Sequence, residues 1–480
     1  MKLKSFIIPV VLLSLSISSS ATEWPAVTLP VITSTKTFDI TTYGATTSST
    51  DNTTAIQAAL DACTTEGGGK VIIPKGTFLC GPIKMGSNTN LFISEGAVLQ
   101  LLPYGTYPLI SGSTTEYPNF IEAKTSNAKN LMISGTGTIY GDGSAWWTAY
   151  DAATTKFKRG AVIRFMKCSQ IEIRDITMKD APGSHITIGS GGNANNATIK
   201  HVTINTQVPS HNTDGIDVWG TNVNIDSCYI SDGDDNIAID KNSQYIRITN
   251  CTFGSGHSTS VGSYTSNVKH VLIDNCIYNG TDNGIRLKSN TDRGGGEEDF
   301  MFSNLTMNNV NSAVYIDCYY DKEYTTPAND KANAKAVTTT TPAFKNIYFK
   351  NITATSTYKK NNAIFIYGRP EQHVKNITFD NVTISAPYGA VINFADSVQF
   401  INGSMIKPAT GAQLYSSYDA QIFDESHATA ISTPTAATDS LNQVFDLNGR
   451  QLLTHATETD TRSLPKGIYI INGRKQTITE

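Results

Sequence analysis

Along most of the chain, apolar residues fall at roughly every second position in short strings. These are NLFISEGAVL, NLMISGTGTI, QIEIRDITM, NATIKHVTI, NVNIDSCYI, YIRITNCTF, HVLIDNCIY, NIYFKNITA and VKNITFDNVTI. That period belongs to a strand with one buried face. Between Ile171 and Val271 the strings begin about 23 to 26 residues apart, with Gly, Asn, Asp and Ser in the gaps. A repeat of this length is too short for a propeller blade and fits one coil of a parallel β-helix. Leucine-rich repeats share the period but need a fixed LxxLxLxxN frame, and none is visible. The Asn residues that open many strings suit left-handed turn conformations.

The pattern changes at both ends. DNTTAIQAALDACTTEGGG predicts one short helix. Asp51 or Thr53 caps it, Ile56, Ala59, Leu60 and Cys63 line one face, and Gly67 to Gly69 end it. Such a helix would cover the open end of the coil stack, whose apolar bore otherwise meets water. Residues 1–21 read as an export signal: Lys2 and Lys4, an apolar run from Phe6 to Ile17, then small residues. The run is shorter than the roughly 20 residues a membrane span needs. The expected domain order is a signal at 1–21, a β-helical catalytic domain at 22–424 and a linker at 425–440. A small β-module at 441–480 follows, carrying QVFDLNGRQLL and LPKGIYIINGRKQTI with their Asn-Gly turns.

Only 16 % of residues are charged and the formal net charge is −4, so an acidic ligand must be held by local cations. Scattered Lys and Arg without interleaved aromatics exclude a nucleic-acid surface. Seven cysteines cannot all pair internally. Cys228, Cys251 and Cys276 recur in DSCYI, TNCTF and DNCIY and read as buried stacked thiols; Cys63 and Cys80 are a possible disulfide.

Chemistry concentrates in four segments on successive coils: NTDGIDVWG, GDDNIAID, GHSTSVGS and NGIRLKSN. Aligning Val218, Ile239 and Val261 stacks Asp214 over Asp235, with Asp234 beside it and His257 one coil further on. Neighbouring strands lie about 4.8 Å apart, so the three carboxylates and the imidazole share one patch. Crowded carboxylates raise the pKa of at least one of them. A protonated acid beside an ionised base is what glycosidic cleavage requires. Arg286 and Lys288 alternate with Ile285 and Leu287 on one strand face. They either grip a sugar that carries its own carboxylate or simply neutralise the aspartates.

These segments resemble the four motifs of family 28 of the glycoside hydrolases, the polygalacturonases: Asn-Thr-Asp, Gly-or-Gln-Asp-Asp, Gly-His-Gly and Arg-Ile-Lys. The resemblance runs from about Phe38 to about Met405 and includes FDITTYGA, GGGKVIIPKGTF, GTIYGDGSAWW and APGSHITI. It implies an all-β, right-handed parallel β-helix (pectin-lyase-like) and inverting hydrolysis of α-1,4-galacturonosidic bonds in pectic polygalacturonate, with no cofactor or metal. By resemblance Asp234 is the general acid, Asp214 and Asp235 hold and activate the water, and His257 tunes the acid. Arg286 and Lys288 grip the galacturonate carboxylate beyond the scissile bond. Asn212 belongs to the first motif as a substrate-binding residue. Tyr320 matches a substrate-contacting tyrosine, although Tyr319 beside it leaves the register open. Ser258 replaces a motif Gly and is expected at the cleft floor, Leu287 replaces an Ile, and Asn236 stands where many members carry Cys.

The tail resembles the sorting domains of type IX secretion, which implies contact with secretion machinery and release to the cell surface or medium. A monomer is expected. Competing readings are a hydrolase of rhamnogalacturonan or xylogalacturonan using the same residues, a calcium-dependent pectate lyase, and a non-catalytic glycan-binding surface protein. The insert from Asp321 to Thr341 is a candidate wall of the cleft.

Overall fold

The computed structural model describes residues 24–190, 192–320, 324–356 and 362–426, and the backbone of four strands between 442 and 478. The expected export signal, the linker from 427 onward and the Asn-Gly turns of the tail lie outside the described residues. Among the described residues no helix is long and apolar enough to cross a membrane. The fold is the right-handed parallel β-helix. The described residues form two units, 24–206 with Ile216–Cys228 and Asn242–Ile248, and Gln207–Gly215 with Tyr229–Lys241 and the described residues from 249 onward.

In the first unit the alternation of the strings becomes columns of stacked side chains. Val71, Leu91, Ile133, Ile173, Ile199 and Ile225 stand in register on six successive parallel strands, all buried. Each column forms because a strand shows one face inward and the coil repeat returns the same position to the same place. The helix Thr53–Thr65 buries Ile56, Ala59, Leu60 and Cys63 against the first strands, Thr37–Asp39 and Gly69–Ile73. Asp51 Oδ1 accepts the Thr53 N–H at 2.8 Å, and Gly68 (φ 123°) follows the helix where a Cβ would stand 2.4 Å from the Asn88 carbonyl oxygen.

An extended segment from Trp24 onward crosses several coils of this unit. Its groups bond Arg247 (Pro25 carbonyl), Asn222 (Ala26 carbonyl), Asn196 (Thr28 N–H) and Asn130 (Val31 N–H). Those asparagines have φ of 55–62°, and each occupies a left-handed turn position.

The second unit repeats the plan with larger side chains. Phe302, Phe349, Phe379 and Phe400 stack with centroids 5.1, 4.8 and 4.6 Å apart. At its turns Asn381 donates to Asn351, and Asn351 to Asn304, all at φ of 53–55°. The tail strands form a separate four-stranded antiparallel sheet. All seven cysteines are free and buried, so Cys63 and Cys80 are not a disulfide. Burial raises the thiols of both.

Candidate active site

Every residue singled out from the sequence as a candidate for catalysis or substrate binding falls in the second unit. One sheet carries Asp235, Arg286 and Lys288, with Asp234 and His257 just before two of its strands; Asp235–Ile239, Ser258–Val261, Asn283–Lys288, Ser312–Asp317 and Asn362–Tyr367 run in parallel succession. Ile239, Val261 and Leu287 are in register inward. The ladder is irregular between Asp235 and Ile237. Before that irregularity the His257 N–H donates to the Asp234 carbonyl at 2.6 Å, and the Gly215 N–H to the Asp235 carbonyl at 3.0 Å. The second bond sets half-buried Asp214 beside Asp235 on adjoining coils.

Asp234 and Asp235 are neighbours in sequence with different partners. Asp234 Oδ1 lies 3.1 Å from His257 Nδ1, and its Oδ2 accepts from the backbone and side-chain nitrogens of Asn212 at 3.2 and 3.1 Å. Asn212 therefore touches Asp234 directly. Asp235 accepts from Ser260 Oγ at 2.6 Å, lies 2.5 Å from Lys288 Nζ and 3.3 Å from an Arg286 terminal nitrogen. The two cations thus face Asp235. Arg286 Nε is buried with no hydrogen-bond partner among the described residues, so the guanidinium is incompletely used. Tyr320 covers both cations, its ring centroid 5.7 Å from Arg286 and 5.0 Å from Lys288. Tyr319 turns away into a buried cluster against Arg369.

The electrostatics differ from simple mutual repulsion. Burial pushes the Asp234 carboxyl up, but the hydrogen bond and charge of His257 and the charge of Lys288 outweigh it and hold it at about 2. The Asp234 hydrogen bond raises His257 against its own burial. For Lys288 burial opposes the charge, and Asp235 more than restores it. The carboxyl raised within this cluster is Asp232, fully buried behind the site and further lifted by Asp235 and Asp234. Asp232 accepts the Asp234 N–H at 3.1 Å and Asn236 Nδ2 at 3.4 Å.

Two acids were not singled out from the sequence. Asp232 is one, legible only as the first Asp of SDGDD. The other is Asp282, whose Oδ2 lies 3.6 Å from His257 Nε2, so the imidazole stands between two carboxylates. Asp282 and His257 line a cavity of about 260 Å³ with His211, Asp232 and Gly256. Ser258 departs from expectation. It is fully buried at φ 137°, and its hydroxyl donates to the Gly284 carbonyl of the next coil at 2.5 Å, away from the cleft floor. Asn236 is also engaged, donating to the Ser255 carbonyl at 2.7 Å.

Asp234, Asp235 and His257 bring one ligand atom each within 4.8 Å of one another, a spacing a metal ion could use. Lys288 and Arg286 already neutralise Asp235, so a dication there would meet two fixed positive charges.

The chain matches the family model described as "Glycosyl hydrolases family 28" over residues 63–402. It is 32 % identical over 340 residues to a probable polygalacturonase of Arabidopsis thaliana, covering 68 % of this chain and 70 % of the relative. It is 29 % identical over 361 residues to an endo-polygalacturonase of Pectobacterium carotovorum subsp. carotovorum, covering 70 % and 84 %. Its fold aligns with a family 28 exopolygalacturonase of Yersinia enterocolitica at a TM-score of 0.67 and 20 % identity, covering 81 % and 78 %.

Proposed function

The chain belongs to family 28 of the glycosyl hydrolases, and from that premise we propose that it hydrolyses the α-1,4-galacturonosidic bonds of polygalacturonan with inversion. The observation that carries the reading is the joint presence of the Asp234–His257 pair and the Arg286–Lys288 cations around Asp235. The first is a proton store, and the second suits a substrate that brings its own negative charge.

In this mechanism Asp234 protonates the leaving oxygen, and Asp214 with Asp235 orients and deprotonates the attacking water. The free site favours a proton on His257 and an ionised Asp234. Substrate entry reverses that preference. A galacturonate carboxylate at Arg286 and Lys288 draws on the charges that hold Asp234 down, and the sugar excludes water. Both changes raise Asp234 towards its acid form. Asn212 fixes the rotamer from which Asp234 delivers the proton, and Tyr320 covers the clamp.

Incubation with polygalacturonic acid and EDTA tests the reaction type. Reducing ends must appear without the ultraviolet absorbance of an unsaturated product; absorbance that EDTA abolishes would mean a lyase. Activity on rhamnogalacturonan or xylogalacturonan alone would transfer the same residues to a decorated substrate.

We further propose a catalytic domain at 22–424, an export signal at 1–21 and a linker at 425–440. A sorting module at 441–480 would address the chain to the surface or medium through secretion machinery. The signal pattern and the string LPKGIYIINGRK support that route. Loss of release on deleting 441–480, with activity retained in lysates, is the expected result.

A further inference from the structure

We propose that Tyr315, Phe365 and Tyr324 form an aromatic sugar subsite directly beyond the Arg286–Lys288 clamp, one that takes the apolar face of a galacturonate unit and tolerates its methyl ester. This rests on the hydrolase reading above. The register carries the argument. Arg286 pairs with Tyr315 on the next strand, and Tyr315 with Phe365 on the one after. The three side chains therefore share one face in line with the clamp. Successive strands rise by about 4.8 Å, comparable to the length of a sugar ring, so a polysaccharide running past Arg286 meets these rings next.

The rings differ from the core aromatics of the same coils. Phe302, Phe349 and Phe379 point inward and are fully buried, whereas Tyr315 and Phe365 are half-buried and Tyr324 is 40 % exposed. Tyr315 and Phe365 stack with centroids 4.9 Å apart and planes 15° apart, forming one half-buried aromatic pair. Tyr324 stands beside it, 5.8 Å from Phe365, and stacks on Tyr367 at 4.5 Å. Tyr367 is anchored in turn by its hydroxyl on Asp330 at 2.6 Å.

The charges nearby disfavour a second carboxylate clamp. Arg286 is engaged by Asp235, Arg369 by Glu371 and Lys331 by Asp419. The acid at the surface's edge, Asp317, is held by the Tyr315 hydroxyl at 3.1 Å and the Tyr319 N–H at 2.8 Å. Among the described residues Arg369 and Lys331 already have acidic partners, so a galacturonate carboxylate would compete with Glu371 and Asp419 for them, and masking it as an ester gives up little.

The test compares kcat/KM on short oligogalacturonates, which end at the clamp, with that on long ones, for wild type, Phe365→Leu and the surface variant Tyr324→Ala. The long-to-short ratio should fall roughly three- to tenfold in the variants, the scale of one aromatic contact. Wild type should also keep most of its rate on a long substrate esterified only beyond the clamp. An unchanged ratio in both variants, or loss of cleavage on that esterified substrate, would overturn the subsite while leaving the hydrolase intact. Wild type that cleaves neither substrate would overturn the hydrolase reading and this subsite with it.

Discussion

Asp234 and His257 meet at 3.1 Å across adjoining coils, and each holds the other in its charged form. The sign of the pH dependence follows. His257 is raised, so its contribution to stability is complete below the unfolded histidine value of about 6.5 and is lost as pH rises through the higher folded value. Asp234 is held at about 2, so its contribution is present above the unfolded value and is lost as pH falls through about 2. The pair is fully developed between about 4 and 6.5. The alkaline limb of kcat/KM should therefore lie above 6.5. A limb at or below that value would separate His257 from the rate.

Replacing Asp234 with Asn keeps the shape and removes the transferable proton. Turnover should drop at least about a hundredfold. Retention of near wild-type turnover would take Asp234 out of the reaction.

Lys288 and Arg286 should separate experimentally although both touch Asp235. Lys288 is almost wholly buried, and its removal leaves a buried carboxylate short of charge, so Lys288→Ala should cost about 3–5 kcal/mol of stability. Arg286→Ala should act mainly on KM for the acidic substrate. Denaturant titration and steady-state kinetics on both variants decide this; equal stability losses with unchanged KM would remove the clamp.

Ser258→Gly should leave kcat within about a factor of three and stability within about 1 kcal/mol. Relief at φ 137° is offset by loss of the hydroxyl bond to Gly284 and by backbone entropy. A large loss of activity would return Ser258 to the cleft.

An inverting reaction yields the opposite anomer first. Proton NMR of fresh digests should show the β-anomer before mutarotation, and early α-anomer would contradict a water held by Asp214 and Asp235.

The coils were legible because one period governs a parallel stack: the alignment of Ile239 with Val261 is the register they adopt. Asp214, Asp235 and the cations followed from the same rule. Side-chain direction did not. Asp282 sits in a turn, where aspartates are common for local reasons, and its approach to His257 depends on how two turns fold together. Asp232 is hidden by burial that no period reports. Ser258 looked like cleft floor because periodicity fixes the strand but not the unusual φ that aims its hydroxyl at the neighbouring coil.

The extended segment at Trp24 has a consequence for the order of assembly. Its partners run as far along the chain as Arg247, so it cannot dock when it is synthesised. The first described residues to be made are among the last in this unit to be fixed, after the coils that present Asn130, Asn196 and Asn222 have wound. The segment acts as a latch whose last fastening awaits Arg247, and a chain stalled before that residue would leave its Pro25 end unfastened.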